Sequence, residues 1–246
     1  MSDAGEVEAY ASAAGQSYLD SIDNTLVQQV LEIGTQSGVL RASRASRGGG
    51  GHGRVEDEPI DRTAARSTLL DVGSGPGGIP LKIARCCPEL MVVGVDRSMN
   101  MIVAARRSAL ELGLAERALF LVGDASKLSF RNATFDLVIS NSLLHHVADP
   151  IPVFNEMARV AKPAGIVLLR DLRRPSRLAF PLHVCWFGRY YSGLMRKLYT
   201  DSVRAAYTAP ELAGLLQRSA LADARLFFHG RTHLGFSRSA NRGHRG

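Results

Sequence analysis

The chain of 246 residues has only three cysteines. Two are the neighbours Cys86 and Cys87, and the third is Cys185, so there is neither a disulfide framework nor a Cys-x-x-Cys pair. No metal site is expected. No stretch reaches the roughly 18 uninterrupted apolar residues that a membrane helix needs. The first forty residues contain six acids and no Lys or Arg. Within them, Met1 to Glu8 lacks the basic-then-apolar order of a secretory signal. These absences lead to the expectation of a reduced, cytoplasmic protein.

Acids become scarce toward the other end. Residues 170–246 hold fourteen Arg or Lys against four Asp or Glu, within a net charge of +7 for the whole chain. Such an excess is either a solvated Arg-rich surface or a basic rim that attracts an anionic substrate or nucleic acid. The arginines are scattered and not clustered with aromatics as a stacking platform would need, so nucleic acid is the minor reading. With 46% hydrophobic residues, the chain can bury the core of one α/β domain.

Apolar positions at helical spacing (Leu19, Ile22, Leu26, Val27, Val30, Leu31) predict a helix over Tyr18 to Ile33. Residues 1–40 are read as an amino-terminal helical cap. Residues 41–67 are read as a flexible Gly/Arg-rich linker, since they contain Gly48 to Gly51 in a row and repeated Arg-Ala-Ser. From 68 to 240 the pattern alternates. Strands are expected at 68–72, 91–95, 118–122, 135–140 and 164–171, and helices at 78–86, 99–112, 150–161 and Pro210 to Ser219. Two short strands, Asp223 to His229 and Thr232 to Ser237, then form a hairpin. The βαβ rhythm implies a parallel sheet covered on both faces and closed by that antiparallel hairpin.

Strand ends are where ligands bind in such sheets. The first strand ends in Leu69-Leu70-Asp71-Val72-Gly73-Ser74-Gly75-Pro76-Gly77-Gly78. Glycines let backbone approach a ligand where a Cβ would collide. Asp71, just before the turn, favours a cationic ligand group over a pyrophosphate, which points to S-adenosylmethionine (SAM) and its ammonium. The second strand ends at Asp96, about twenty residues past the glycines, where a carboxylate can accept both ribose hydroxyls. The third ends at Gly123-Asp124-Ala125, whose Asp124 carboxylate and Ala125 N–H can hold an adenine edge. Nicotinamide binding is the alternative, since Gly73, Gly75 and Gly78 satisfy G-x-G-x-x-G. Against it stand Asp71, Pro76 and the lack of any Tyr-x-x-x-Lys.

With the glycine motif, Asp96-Arg-Ser-Met-Asn-Met101, Gly123-Asp124-Ala125, Phe135-Asp-Leu-Val-Ile-Ser-Asn141 and Arg159-Val-Ala-Lys-Pro-Ala-Gly165 in this order, the chain resembles the class I SAM-dependent methyltransferases. The likeness covers about residues 68 to 172, through a set of motifs specific only together. It implies a Rossmann-like, doubly wound, seven-stranded, mostly parallel sheet. It also implies a cofactor-binding set: Asp71, Gly73, Ser74, Gly75 and Gly77 at the methionine end, Asp96 and Arg97 at the ribose, Met101, Asp124 and Ala125 at the adenine, and Asn141 at the methyl-donor pocket. Ala164 departs from the family's Pro-Gly-Gly, far from that pocket. Asn141-Ser-Leu-Leu-His-His146 followed by Asp149-Pro150 resembles the ubiquinone/menaquinone methyltransferase branch. The Asn/Asp-Pro-Pro-Tyr of enzymes that methylate amino groups of bases or glutamine is missing.

The resemblance implies methyl transfer to a small organic acceptor, apolar or anionic. An RNA-directed methyltransferase and a SAM-binding regulator without turnover are the alternatives. A general base is needed only if the acceptor loses a proton, and His145 and His146 follow the fourth strand, where imidazole could serve. The other reading of both is a histidine packed under the sheet edge. Residues 178–207 carry Phe180, Trp186, Phe187, Tyr190, Tyr191, Leu194, Met195 and Tyr199 among Arg189, Arg196 and Lys197. Spacing of three and four puts most of these aromatics on one helical face. A lid insertion, joined by Tyr10 and Tyr18, a weak membrane-surface contact and plain core packing are the three readings.

Overall fold

The structure, a computed structural model, describes residues 13–40, 66–191 and 193–239. The linker expected at 41–67 lies outside the described residues except for its last two positions. Tyr10 and the side chains of Tyr18 and Tyr190 lie outside them too.

Seven strands form one sheet: β1 (Thr68–Val72), β2 (Met91–Asp96), β3 (Ala118–Val122), β4 (Phe135–Asn141), β5 (Ala161–Leu172), β6 (Arg225–His229) and β7 (His233–Arg238). Their spatial order is β3-β2-β1-β4-β5-β7-β6. The first five run parallel, while β7 is antiparallel to both β5 and β6. This is the doubly wound sheet with a terminal hairpin that the alternation implied. The order reverses between β1 and β4, which opens a crevice at the carboxyl ends of those strands.

Both faces of the sheet are covered, so β1 and β4 are buried at nearly every position. Alternate residues serve opposite cores. Leu69, Leu137 and Ile139 join Ile79, Leu81 and Ile83 of α2 (Gly78–Cys86) and Ile102 of α3 (Met99–Glu111). Leu70, Val138 and Val167 join Val153, Phe154 and Met157 of α4 (Pro150–Val160) on the other face. Asp149 caps α4 by accepting from the Ile151 N–H at 3.1 Å, and Pro150 opens its first turn. Phe154 meets Phe236 edge-on at 5.2 Å, which ties α4 to the hairpin and contributes about 0.5–1.5 kcal/mol beyond area burial.

Three departures from the sequence expectation go beyond one or two residues at an element's end. The amino-terminal helix α1 spans Ala13–Gln36, longer at both ends, and buries Leu26, Val27 and Val30 in the first core. β5 starts at Ala161, not 164, because Ala161 already pairs with Phe135 ahead of a register shift. Gly165 sits at that shift, where a Cβ would lie 2.9 Å from the Lys162 carbonyl oxygen. Ala164 beside it is exposed, so the departure from Pro-Gly-Gly is accommodated on the surface. The third difference concerns the 178–207 aromatics, which do not share one helical face. They divide between α5 (Phe180–Phe187) and α6 (Gly193–Ala205), separated by a 3₁₀ turn at Gly188–Tyr190. The last helix, α7 (Ala209–Gln217), is held by a capping box in which Glu211 Oε2 accepts from Thr208 N–H at 2.8 Å.

Candidate active site

At the crevice, Gly73 and Ser74 N–H groups both donate to the Val95 carbonyl, at 2.8 and 3.0 Å, which folds the glycine turn across the end of β2. Gly73, Gly75 and Gly77 have φ of 77°, 52° and 85°, the left-handed region that favours glycine. Their surroundings separate two roles. A Cβ on Gly77 would lie 2.9 Å from Phe120 Cζ and 3.1 Å from Ala105 Cβ, so this glycine serves packing. A Cβ on Gly75 would meet nothing within 4 Å, so this glycine faces open space.

The contrast makes a prediction. Gly77→Ala costs about 1–3 kcal/mol of stability through overpacking and strain. Gly75→Ala costs only about 1 kcal/mol of backbone strain, yet weakens SAM binding by about tenfold or more, because its methyl group enters the ligand's side of the turn. Thermal melts and calorimetry read both. Unchanged affinity in Gly75→Ala would remove this glycine from the binding surface.

Asp71 is the most perturbed carboxylate of the site. It is 2% exposed on β1, and its Oδ1 has no hydrogen-bond partner. Burial first, then the nearby charges of Asp23 and Asp96, push its pKa up to about 8. Ser74 Oγ, three residues on, is also buried without a partner. Two orphaned buried polar atoms beside an open glycine turn fit a ligand that brings a cation and hydrogen-bonding groups. The SAM ammonium and carboxylate end meets that requirement.

Asp96 ends β2 with both oxygens engaged: Oδ2 accepts from the Gly75 N–H and Oδ1 from the Ser98 N–H, each at 2.9 Å. The carboxylate is therefore held against the glycine turn. Arg97 beside it is exposed, and Met101 is half-buried in the first turn of α3 behind the Ser98 cap. Asp124 and Ala125 stand farther out, after β3. The Ser126 N–H and hydroxyl, at 2.8 and 2.7 Å, hold the exposed Asp124 carboxyl below the usual range, with Arg97 contributing. Asp124 Oδ1 is thus committed to its own turn, and the half-buried Ala125 remains beside it.

Asn141 ends β4, and its Oδ1 accepts from Arg170 Nε at 2.9 Å. Arg170, on β5, is fully buried, and its Nη1 also donates to Thr25 Oγ1 of α1 at 2.8 Å. Burial pulls its pKa down to about 10 against the opposing charges of Asp23 and Asp171. Neither Arg170 nor the α1 pair Asp23 and Thr25 was among the residues singled out from sequence. The one available signal was Arg170-Asp171, a charged pair closing an apolar strand at its carboxyl end.

Asp171 itself completes a dyad. His145, on the 3₁₀ turn Leu144–His146, places Nδ1 2.6 Å from Asp171 Oδ1, with both side chains 5% exposed or less. Asp171 also accepts the N–H groups of Leu144 at 2.5 Å and Leu172 at 2.6 Å, which fixes the carboxylate. His146 is exposed, with its ring 4.1 Å from that of His145. Behind them, burial and then Arg170 push the pKa of His233 down to about 3, so this imidazole stays neutral. A groove of about 640 Å³ lined by Arg159, Lys162, Arg225 and Arg238 lies at the amino ends of β4 and β5, the opposite edge of the sheet. Among the described residues no group of His, Cys, Asp and Glu could hold a metal ion, and no helix is long and apolar enough to cross a membrane.

Comparison with known proteins bears on the same residues. A family model described as a methyltransferase domain matches residues 64–208. The demethylmenaquinone methyltransferase of Roseiflexus castenholzii is 31% identical over 165 residues, 63% of this chain and 67% of that protein. An uncharacterized methyltransferase of Schizosaccharomyces pombe is 32% identical over 118 residues, and the aligned part is 46% of this chain and 42% of that protein. A SAM-dependent methyltransferase from Aquifex aeolicus superposes with a TM-score of 0.53 at 20% identity, over 70% of this chain and 80% of that one, a likeness of fold. The matched span runs from just before β1 through the glycine turn, Asp96, Asp124, Asn141, the His145–Asp171 dyad and both helices α5 and α6. This chain belongs to the class I SAM-dependent methyltransferases.

Proposed function

We propose that the chain methylates a small organic acceptor that gives up a proton as it reacts, with His145 as the base and Asp171 as the residue that positions it. The acceptor class is a demethylated quinone, as the name of the Roseiflexus castenholzii relative suggests. The observation that carries this reading is the 2.6 Å contact between His145 Nδ1 and Asp171 Oδ1 at the carboxyl ends of β4 and β5. With the carboxylate accepting, Nδ1 carries the hydrogen and Nε2 keeps its lone pair.

When bound, SAM supplies an electrophilic methyl group whose carbon–sulfur bond breaks in line, the electron pair returning to sulfur. Asp71 and Ser74 hold the amino-acid end, Asp96 the ribose, and Asn141, fixed by Arg170, lines the donor pocket. Alignment at near-attack distance supplies most of the rate. His145 Nε2 takes the proton from the acceptor atom that forms the new bond, and Asp171 stabilises the imidazolium before the proton passes to water. Helix α6, packed against the 3₁₀ turn that carries His145, covers the acceptor side and excludes water.

The test uses full-length protein, SAM and a reduced demethylated menaquinone in detergent micelles, followed by mass spectrometry. One methyl gained per S-adenosylhomocysteine formed is expected. SAM binding by calorimetry without any methylated quinone would overturn the acceptor assignment while leaving the family intact.

A further inference from the structure

Between β5 and α6 the chain presents apolar side chains to solvent. None of the eight residues of α5 is buried. The helical turn already begins at Ser176, whose carbonyl accepts from the Phe180 N–H at 2.9 Å. Leu178, Leu182 and Trp186 therefore share one face at i, i+4 and i+8, and they are 93%, 76% and 63% exposed. Exposed leucines scattered singly are ordinary, but a row of large apolar side chains on one helix marks an interaction surface.

Charge says what covers it. Residues 173–200 contain Arg173, Arg174, Arg177, Arg189, Arg196 and Lys197 and no Asp or Glu. The Arg189 guanidinium lies 4.2 Å over the Trp186 ring, and Arg177, Arg196 and Lys197 are exposed. A second copy meeting this face about a two-fold axis would oppose cation to cation. The acidic Met1–Glu8 has the right charge, but Met1 and Val7 are its only large apolar residues. Apolar side chains flanked by cations, with an Arg-stacked tryptophan, match the boundary between anionic headgroups and acyl chains.

We propose that the α5 face docks on an anionic phospholipid surface. The surface adjoins the site, because α6 packs against the 3₁₀ turn that carries His145 and α5 follows directly from β5. Docking therefore sets the acceptor side of the crevice against the bilayer, and a lipid-soluble acceptor reaches His145 without crossing bulk water. That last clause rests on the proposed acceptor; the docking does not.

Trp186 is the chain's sole tryptophan, so its emission reports this face alone. Full-length protein is titrated with vesicles of phosphatidylcholine, with or without phosphatidylglycerol, and SAM binding is measured by calorimetry in parallel. A blue shift and co-sedimentation with the phosphatidylglycerol vesicles are expected, weakening as salt rises. In Leu178→Asn/Leu182→Asn, which alters two exposed positions and no charge, partitioning falls by about tenfold or more while SAM affinity is unchanged. Absence of binding at low salt would overturn the proposal. So would equal binding by the double variant, which would assign the contact to other basic residues, or concentration-dependent dimers lost in the variant, which would assign the face to a second copy.

Discussion

Replacing Asp71 with asparagine stabilises the free protein at alkaline pH and removes most of its SAM affinity. Asp71 is buried on β1 with Oδ1 unpartnered, and its pKa stands at about 8. Unfolded, the same carboxyl titrates near 3.8. Between these values the folded state holds a proton that the unfolded state has lost, so stability falls as pH rises through the window. Above about 8 the penalty is complete, on the order of a few kcal/mol for burying an unpaired charge. Asparagine has the same shape and cannot ionise. Below about pH 3.8 the two proteins melt together, because Asp71 is then neutral in both the folded and the unfolded state. At about pH 8.5 the variant melts higher by about 5–10 °C, at 2–4 °C per kcal/mol.

Ligand affinity moves the opposite way. A SAM ammonium against Asp71 requires the carboxylate, so wild-type binding strengthens as pH rises from about 6 toward 8. Calorimetry in two buffers of different ionisation enthalpy reads release of about one proton at the lower pH. Asp71→Asn loses about 100-fold in affinity and the proton release with it. A melting difference that does not vary with pH would place Asp71 among ordinary structural residues.

The contrast between Asp71 and Arg170 shows why some of this site is legible in the sequence. Asp71, the glycines and Asp96 occupy ends of strands whose apolar runs are local, so their convergence follows from the βαβ alternation alone. The sheet and its hairpin are readable for the same reason. Arg170 looks like one more member of a basic carboxyl-terminal region. Its burial depends on Thr25 and Asp23, which lie nearly 150 residues earlier and reach it only once α1 has packed on α2. Asp124 differs again. Its side chain is placed by Ser126 two residues on, an Asx turn that Asp-Ala-Ser could have signalled. The aromatic segment breaks at Gly188 and again at Gly193, whose φ of 51° ends any continuous helical face.

His145→Ala lowers kcat by about 10² to 10⁴ at saturating SAM, the range for loss of a general base. The dissociation constant for SAM stays within about twofold, since the imidazole is spent on Asp171 and the acceptor side. Added imidazole restores part of the rate, which a merely structural histidine would not permit. Asp171→Asn separates positioning from catalysis. Asparagine keeps with its one oxygen the Leu144 N–H that Oδ2 accepts, so the 3₁₀ turn stays tied, while its amide NH2 takes the place of Oδ1 and the Leu172 bond is lost. It withdraws the negative charge facing Nδ1, so the imidazolium formed in the reaction loses its counter-charge and the preferred tautomer is no longer fixed. A fall of about 10² to 10³ in kcat is expected, with little change in the acceptor KM. His146→Ala, at an exposed ring, keeps kcat within about twofold. If His145→Ala retains wild-type turnover, the acceptor needs no proton removed by this chain, and the dyad is packing under the sheet edge. If instead His145→Ala and Asp171→Asn fall while His146→Ala does not, the pair at the ends of β4 and β5 carries the proton, and an acceptor with an acidic reacting atom follows from that chemistry.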